Sequence, residues 1–138
     1  MRNLIVIGCA TVLALSLSMG AFAGSITDTD TDGVPDSLDN CDVLANGPLV
    51  ADSNNCFQTD GDQDGYGNAC DVDLSNNNVN DLPDLIDVLG ALGTADPAAD
   101  ITCNGAVDLP DLIIVLGALG GAPGPSGIGC AGSIPCTP

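Results

Sequence analysis

Four windows of twelve residues carry oxygen-bearing side chains at positions 1, 3, 5, 9 and 12. They begin at Asp28, Asp60, Asp73 and Asp100. They contain five, four, three and three of the 19 Asp residues of the chain, which has no Glu. A loop that coils around a hard cation turns alternate side chains inward, and oxygens are the ligands that such a cation prefers. The spacing therefore predicts four metal-binding loops.

Calcium is the cation that this pattern favours. It takes about six to eight oxygens, and a twelve-residue loop adds the carbonyl of position 7 to its side-chain ligands. Position 6 needs positive φ, and it holds Gly33, Gly65 and Gly105, or Asn78 in the third loop. Magnesium keeps its waters and seldom fills an all-protein cage. The rival interpretation is an acidic, disordered, low-complexity segment, which does not account for one frame repeated in four windows.

The third and fourth loops belong to an internal repeat that places a helix after each of them. Residues 73–93 and 100–120 align at an offset of 27 without a gap, with 14 of 21 positions identical. Pro83 and Pro110 suit a first helical turn, and Gly93 and Gly120 can cap the ends. Each helix carries an apolar stripe, and we expect the two stripes to bury against each other in a pseudo-twofold pair. The stripes are Leu82, Leu85, Ile86, Leu89 and Leu92, and Leu109, Leu112, Ile113, Leu116 and Leu119.

An alternative is that one stripe is a free surface for a partner. Ile114 and Val115 lie off the second stripe, and we predict that they make exposed apolar contacts. The N-terminal half offers few apolar residues, so we expect metal and disulfides to replace a hydrophobic core there.

The composition excludes most chemistry other than metal binding. The chain has no His, Lys or Glu, so it lacks a Ser–His or Cys–His pair and a lysine for a Schiff base. Its one basic residue is Arg2, which excludes a basic surface for nucleic acid. Nearly all Asp are assigned as metal ligands, and Phe57 and Tyr66 form a poor platform for sugars. We therefore predict a protein that is not an enzyme and has no catalytic residues.

Residues 1–23 have the pattern of an export signal. Arg2 precedes a mostly apolar run over 4–17, and Ala21–Phe22–Ala23 offers a cleavage site. Cleavage there predicts a secreted or cell-surface protein with no membrane span after processing. The alternative is that the segment stays as a membrane anchor, since the run is nearly long enough to cross a bilayer.

The loops resemble two known modules. Residues 28–71 begin with DTDTDGVPDSLDNC and end with DGDQDGYGNACD, and they look like a pair of thrombospondin type 3 repeats. Residues 73–120 resemble a dockerin type I domain, which is a duplicated EF-hand-like calcium loop followed by a helix. The resemblance implies about four Ca²⁺ and a cohesin-like or other extracellular partner. The sequence differs from the dockerin pattern at Leu82–Pro83 and Leu109–Pro110, where dockerins often have hydroxyl residues.

The resemblance also implies a ligand set, position by position. The first loop supplies Asp28, Asp30, Asp32, the carbonyl of Val34, Asp36 and Asp39, and the second supplies Asp60, Asp62, Asp64, the carbonyl of Tyr66, and Asp71. The third supplies Asp73, Ser75, Asn77, the carbonyl of Val79, Asp81 and Asp84, and the fourth supplies Asp100, Thr102, Asn104, the carbonyl of Ala106, Asp108 and Asp111.

Six cysteines remain after the leader, and an even number in a short exported chain favours disulfides. Their spacing leaves 15 connectivities open, although Cys130 and Cys136 are placed to close a small loop on themselves. The thrombospondin-like resemblance implies a Cys41–Cys70 pair, which leaves Cys56 with Cys103.

The predicted fold is a small, calcium-stabilised, disulfide-linked protein with a loop-rich N-terminal half and a mostly α pair of loop–helix units. The predicted domains are a signal peptide (1–23), thrombospondin type 3-like repeats (24–71), a dockerin-like domain (72–120) and a Gly/Pro-rich tail (121–138). The predicted function is a structural, adhesion or docking module for extracellular assembly. The alternative is a non-catalytic accessory component of a polysaccharide-degrading system.

Overall fold

A computed structural model describes residues 26–50 and 56–136 of the chain. Two helices, α1 over Leu82–Ala91 and α2 over Leu109–Ala118, are its longest regular elements. A single 3₁₀ turn spans Asp36–Leu38, and no β-strand occurs in the described ranges. The predicted signal segment 1–23 lies outside the described residues. Neither described helix is long and apolar enough to cross a membrane.

Each helix begins at position 10 of its loop, so the last three residues of the loop form its first turn. Asp81 precedes α1, and its backbone N–H donates to the Asp84 carboxylate at 2.7 Å, as one half of a capping box. Asp108 and Asp111 repeat this arrangement at α2, at 2.8 Å. Proline lies in the first turn of both helices, as predicted from the sequence. Gly93 and Gly120 follow the helix ends and have positive φ values of 80° and 86°.

A reciprocal set of backbone hydrogen bonds joins the two loop–helix units. The Val107 N–H donates to the Thr94 carbonyl, and the Gly93 N–H donates to the Val107 carbonyl, each at 2.8 Å. In the other unit, the Asn80 backbone N–H donates to the Gly121 carbonyl at 3.0 Å, and the Gly120 N–H donates to the Asn80 carbonyl at 2.7 Å. Position 8 of each loop is thus bonded to the chain that leaves the other unit's helix. The two units are therefore paired reciprocally, as predicted, although not through the predicted leucine stripes.

The hydrophobic core belongs to the C-terminal half and is built from small side chains: Val72, Val88, Ala99, Ile101, Val107 and Val115. In the described part of residues 26–71, the buried side chains are instead cysteines and polar residues, among them Asp32, Asp39, Asn46 and Asp64. The expectation that the N-terminal half lacks a hydrophobic core is confirmed there.

The predicted burial of the leucine stripes is wrong for most of their length. Eight of the ten stripe residues are between 42% and 63% exposed: Leu82, Ile86, Leu89, Leu92, Leu109, Ile113, Leu116 and Leu119. Leu85 and Leu112 are partly buried and pack against the core. The helix residues that lie within the core are Val88 and Val115. The prediction that Val115 is exposed is also wrong, because it is fully buried, and Ile114 is partly buried.

The rotation of the helices explains this difference. The Asp84 carboxylate accepts the Ser75 N–H at 2.8 Å, so this face of α1 points into the third loop. Val88 and Ala91 follow at four and seven residues along the helix and share the face of Asp84. Asp111 fixes α2 in the same way through the Thr102 N–H, also at 2.8 Å. The loop therefore sets which helix face is buried, and the larger leucines are left outside.

Three disulfides join the described cysteines in the pairs Cys41–Cys70, Cys56–Cys103 and Cys130–Cys136. The implied Cys41–Cys70 pair and the expected small Cys130–Cys136 loop are confirmed, as is the remaining pair. The Cys56–Cys103 bond links the N-terminal half to the fourth loop across 47 residues.

Candidate metal centres

All four loops share one internal frame, which starts from the carboxylate at position 1. Its two oxygens accept the backbone N–H groups of positions 5 and 6, which draws the loop into a turn around that carboxylate. Asp28 accepts from residues 32 and 33, Asp60 from 64 and 65, Asp73 from 77 and 78, and Asp100 from 104 and 105, at distances of 2.5–3.3 Å. The residue at position 6 has the predicted positive φ in every loop, between 68° and 96°.

The side chain at position 5 fixes the next peptide in every loop. Its oxygen accepts the N–H of position 7, the residue whose carbonyl is predicted as a ligand. The four pairs are Val34 to Asp32 and Tyr66 to Asp64 at 2.8 Å, and Val79 to Asn77 and Ala106 to Asn104 at 2.9 Å. The windows that the sequence groups by spacing therefore share two sets of hydrogen bonds.

The first two loops gather carboxylates. Oxygens of Asp28, Asp30 and Asp32 lie within 4.8 Å of one another, and a second triad consists of Asp60, Asp62 and Asp64. Three carboxylates this close repel one another without a cation.

These two loops are closed through position 9. The Thr29 N–H donates to the Asp36 carboxylate at 2.7 Å, and the Gly61 N–H donates to the amide oxygen of Asn68 at 2.8 Å. The Asn68 amide nitrogen also donates to the Asp100 carbonyl at 3.1 Å, which ties the second loop to the start of the fourth.

The third and fourth loops are closed through position 12. Asp84 and Asp111 are fully buried, and each accepts the N–H groups of positions 3 and 9 of its own loop. Position 3 of the third loop contacts position 1, since the Ser75 hydroxyl donates to Asp73 at 3.3 Å. The Asn77 side-chain amide donates to the Asp81 carboxylate at 3.4 Å, so positions 5 and 9 are also in contact.

Three buried oxygens at predicted ligand positions have no hydrogen-bond partner. They are Oδ2 of Asp30, Oδ2 of Asp39 and Oγ1 of Thr102. Asp39 is 1% exposed and Thr102 is 5% exposed. A buried oxygen without a donor costs about 1–3 kcal/mol, more when it is charged, unless an ion or water satisfies it. The donor set of hard oxygens and these unsatisfied atoms fit calcium in the first and fourth loops.

A polar network beside the first loop holds Asp39 in place. The Gln58 amide donates to Asp39 at 2.7 Å and to the Asn46 side chain at 2.6 Å. Asn46 donates through its backbone N–H to Asp32 at 2.8 Å and through its amide to Asn40 at 2.9 Å. Sequence reasoning missed these amide residues because they fall outside the loop spacing, and no local pattern marks them.

Burial and mutual repulsion raise the pKa of several loop carboxyls. Burial raises the pKa of Asp71 to about 7, the Asp73 N–H opposes the rise, and neighbouring carboxylates add to it. Burial likewise raises the pKa of Asp64 to about 6 against the effect of the Tyr66 N–H. The pKa of Asp30 and that of Asp62 are also raised, mainly by burial. Without a cation, protons therefore compete for these carboxylates.

Residues 27–48 match the family model of the thrombospondin type 3 repeat. This match covers the first loop, Asn46 and the first cysteine of the Cys41–Cys70 pair. Repeats of that family are extracellular, non-catalytic modules that bind calcium. Searches of curated proteins and of solved structures return no significant match to the chain.

Proposed function

We propose that this chain is an exported, calcium-binding structural module that serves adhesion or docking in an extracellular or cell-surface assembly. Each loop takes one Ca²⁺ through the ligand set stated above. The two carboxylate triads, with the unpartnered Asp39 oxygen in the first loop, are the observation that supports this most strongly. The thrombospondin match at residues 27–48 supports it independently.

The residues of the loops are arranged to hold a cation rather than to react. Position 1 anchors the turn, position 5 holds the peptide of position 7, and position 9 or 12 closes the loop. Bound calcium would neutralise the carboxylates and lock this arrangement. Because the acids are used as loop acceptors, the module has a non-catalytic role.

Calcium stoichiometry by native mass spectrometry tests this proposal on the mature protein. We expect four ions on the wild-type chain, and three on each of the Asp28→Ala and Asp73→Ala variants. Asp96→Ala is a control, because Asp96 lies outside the four loops. A wild-type chain that carries no calcium contradicts the proposal.

The exposed leucines support a docking role for the helix pair. Leu82 and Leu109 are 62% and 63% exposed at equivalent positions of the two helices, so the pair presents two similar apolar corners. A cohesin-like partner, or an accessory role in a polysaccharide-degrading assembly, is the form of docking that the dockerin-like repeat favours.

A Leu82→Asp/Leu109→Asp double variant tests the docking role. Both side chains lie largely in solvent, so the variant should fold with calcium as the wild type does. It should fail to capture the extracellular partner that the wild type captures in calcium but not in chelator. Contact through small apolar corners predicts little dependence on salt. A variant that folds and still captures the partner contradicts docking at these corners.

A further inference from the structure

The C-terminal segment 123–136, here called the strap, lies along the first and second loops. The Gly124 N–H donates to the Cys70 carbonyl at 3.2 Å, and the Gly127 N–H donates to the Asp39 carbonyl at 3.0 Å. In the other direction, the Asp42 N–H donates to the Pro125 carbonyl at 2.9 Å. These contacts span up to 88 residues of sequence, so the strap is part of the N-terminal half in space.

Three donors of the strap bind three consecutive carbonyls of the second loop. The Cys136 N–H donates to the Gln63 carbonyl at 2.7 Å, and the Gly132 N–H donates to the Asp64 carbonyl at 2.8 Å. The Ser126 hydroxyl donates to the Gly65 carbonyl at 2.7 Å. These carbonyls belong to positions 4, 5 and 6, where the loop reverses.

The first loop has a similar contact from a nearby segment. The Leu49 N–H donates to the Asp32 carbonyl, which is position 5, at 2.7 Å. The second loop has no following segment of its own that could do this, because the third loop begins at Asp73, two residues after Asp71. The third and fourth loops are closed by the carboxylates of α1 and α2. Among the described residues, the second loop is therefore the one whose carbonyls at the reversal are bound by a distant part of the chain.

We propose that the strap positions the second loop for its cation. Its donors hold the peptides of positions 4 to 6, and so hold the reversal that brings Asp60, Asp62 and Asp64 together. The fit is close: a Cβ at Gly65 would lie 2.6 Å from Cys136 Sγ and 2.8 Å from Ala131 Cα. This inference rests on the calcium function proposed above and assigns the strap to that function.

The Cys130–Cys136 disulfide makes the strap a closed ring where it meets the second loop. Both cysteines belong to the strap, so the bond does not itself connect the strap to the rest of the chain. It limits the conformations of the free strap, which lowers the entropy lost when the strap binds. Loss of this bond should therefore weaken the second loop more than the others.

Tyr66 provides a luminescence probe at the second loop. It occupies position 7, and the chain has no other Tyr and no Trp. Terbium(III) takes the same oxygen ligands as calcium and emits when a nearby excited tyrosine transfers energy to it. Terbium emission excited through Tyr66 thus follows occupancy of this loop. A Tyr66→Phe/Ala106→Tyr chain moves the reporter to position 7 of the fourth loop.

Ser126→Ala and Ser133→Ala form a matched pair. Both remove a hydroxyl from the strap, but only that of Ser126 reaches a loop, at 2.7 Å from the Gly65 carbonyl and 3.2 Å from the Asp39 carbonyl. Ser126→Ala removes the donor to the Gly65 carbonyl, its longer contact with the Asp39 carbonyl and the acceptor of the Ile128 N–H. Loss of the hydrogen bond to the second loop predicts about a threefold to tenfold weaker terbium affinity there. Ser133→Ala should leave it unchanged. A Cys130→Ser/Cys136→Ser variant should weaken it as well, while the fourth-loop reporter stays unaffected.

The outcomes separate this inference from the calcium function. If the wild-type chain shows no terbium emission and no bound calcium, the calcium proposal fails and this inference fails with it. If terbium binds but Ser126→Ala and the cysteine variant leave its affinity unchanged, only the role of the strap is overturned. Equal weakening at the second and fourth loops also overturns it, because the strap would then support the fold in general.

Discussion

Ionised Asp71 should destabilise the fold without calcium and favour it with calcium bound. Its raised pKa, about 7 against an ordinary value of 3.8, means that the metal-free fold prefers it protonated. That stabilisation is fully present below about pH 4 and is lost as pH rises through about 7. In chelator, acidification from pH 8 to pH 5 should therefore increase the folded fraction, measured by circular dichroism.

An Asp71→Asn variant checks the assignment. It mimics the protonated form and keeps an oxygen for the Asp73 N–H, which donates to Asp71 at 2.7 Å. In chelator at pH 7 it should be more stable than the wild type, with a weaker dependence on pH. It should also bind calcium less tightly, because a predicted carboxylate ligand is lost. A variant that is less stable than the wild type in chelator at pH 7 would contradict this account of Asp71.

Asn80 is the polar counterpart of a core valine. It is 4% exposed, its Oδ1 is buried without a partner, and Val107 fills the equivalent position in the core. Its amide nitrogen has only a 3.5 Å contact with the Ala118 carbonyl. Asn80→Val should raise the free energy of unfolding by about 1 kcal/mol in saturating calcium, because an unsatisfied buried oxygen is removed.

Chemical denaturation in calcium measures this change. The backbone bonds of residue 80 to residues 120 and 121 do not depend on the side chain, so the pairing of the units should persist. The reverse change, Val107→Asn, is the control and should be strongly destabilising. A loss of stability in Asn80→Val would show that its amide has a role that the hydrogen bonds do not reveal.

At the level of the helices, sequence periodicity places α1 and α2 correctly but not their rotation. The leucine stripe is the stronger apolar signal, yet position 12 of the third loop and of the fourth is also the third residue of the following helix. Asp84 must face its loop, so the face that contains Val88 is buried instead. A hydrophobic pattern alone could not show this, because the decisive contact is a hydrogen bond from a charged side chain to the loop backbone.

A pair of neighbouring residues tests this rotation. Val88→Ala opens a cavity in the core and should cost about 1–3 kcal/mol of unfolding free energy. Leu89→Ala removes a larger side chain that is 47% exposed and should cost less than about 1 kcal/mol. Denaturation in saturating calcium gives both values. Val115→Ala and Leu116→Ala should repeat the order in α2, and a larger loss from the leucines would contradict this arrangement.

Across the whole molecule, the frames of the loops could be read from the sequence, and the hydrogen bonds between distant backbone groups could not. The spacing of Asp and Gly predicts the four loops, because each frame is contained in twelve residues. The contacts of the strap with Gln63, Asp64 and Gly65 could not be predicted. They use backbone N–H groups and one serine, which leave no pattern in the sequence. The side-chain amides around Asp39 could not be predicted either, because they fall outside the loop spacing.

The fold as a whole should depend on calcium. Cleavage after Ala23 would remove Arg2 and leave 19 Asp with no basic side chain. Four Ca²⁺ would reduce a charge of about −19 to about −11, and their binding free energy would add to folding. The core of the described residues has six buried side chains, none larger than isoleucine, which is too little to offset such repulsion.

We expect chelator to leave the disulfide-bonded chain largely disordered at pH 7, and calcium to restore the helices. Far-ultraviolet circular dichroism and the melting temperature, with and without calcium, measure this. Sodium chloride at matched ionic strength is the control, because it screens repulsion without filling the loops. Recovery in salt alone would attribute folding to screening, and an identical spectrum and melting temperature in chelator would show that the disulfides and small core suffice. Recovery in calcium alone would show that the loops need their ion to hold the chain together.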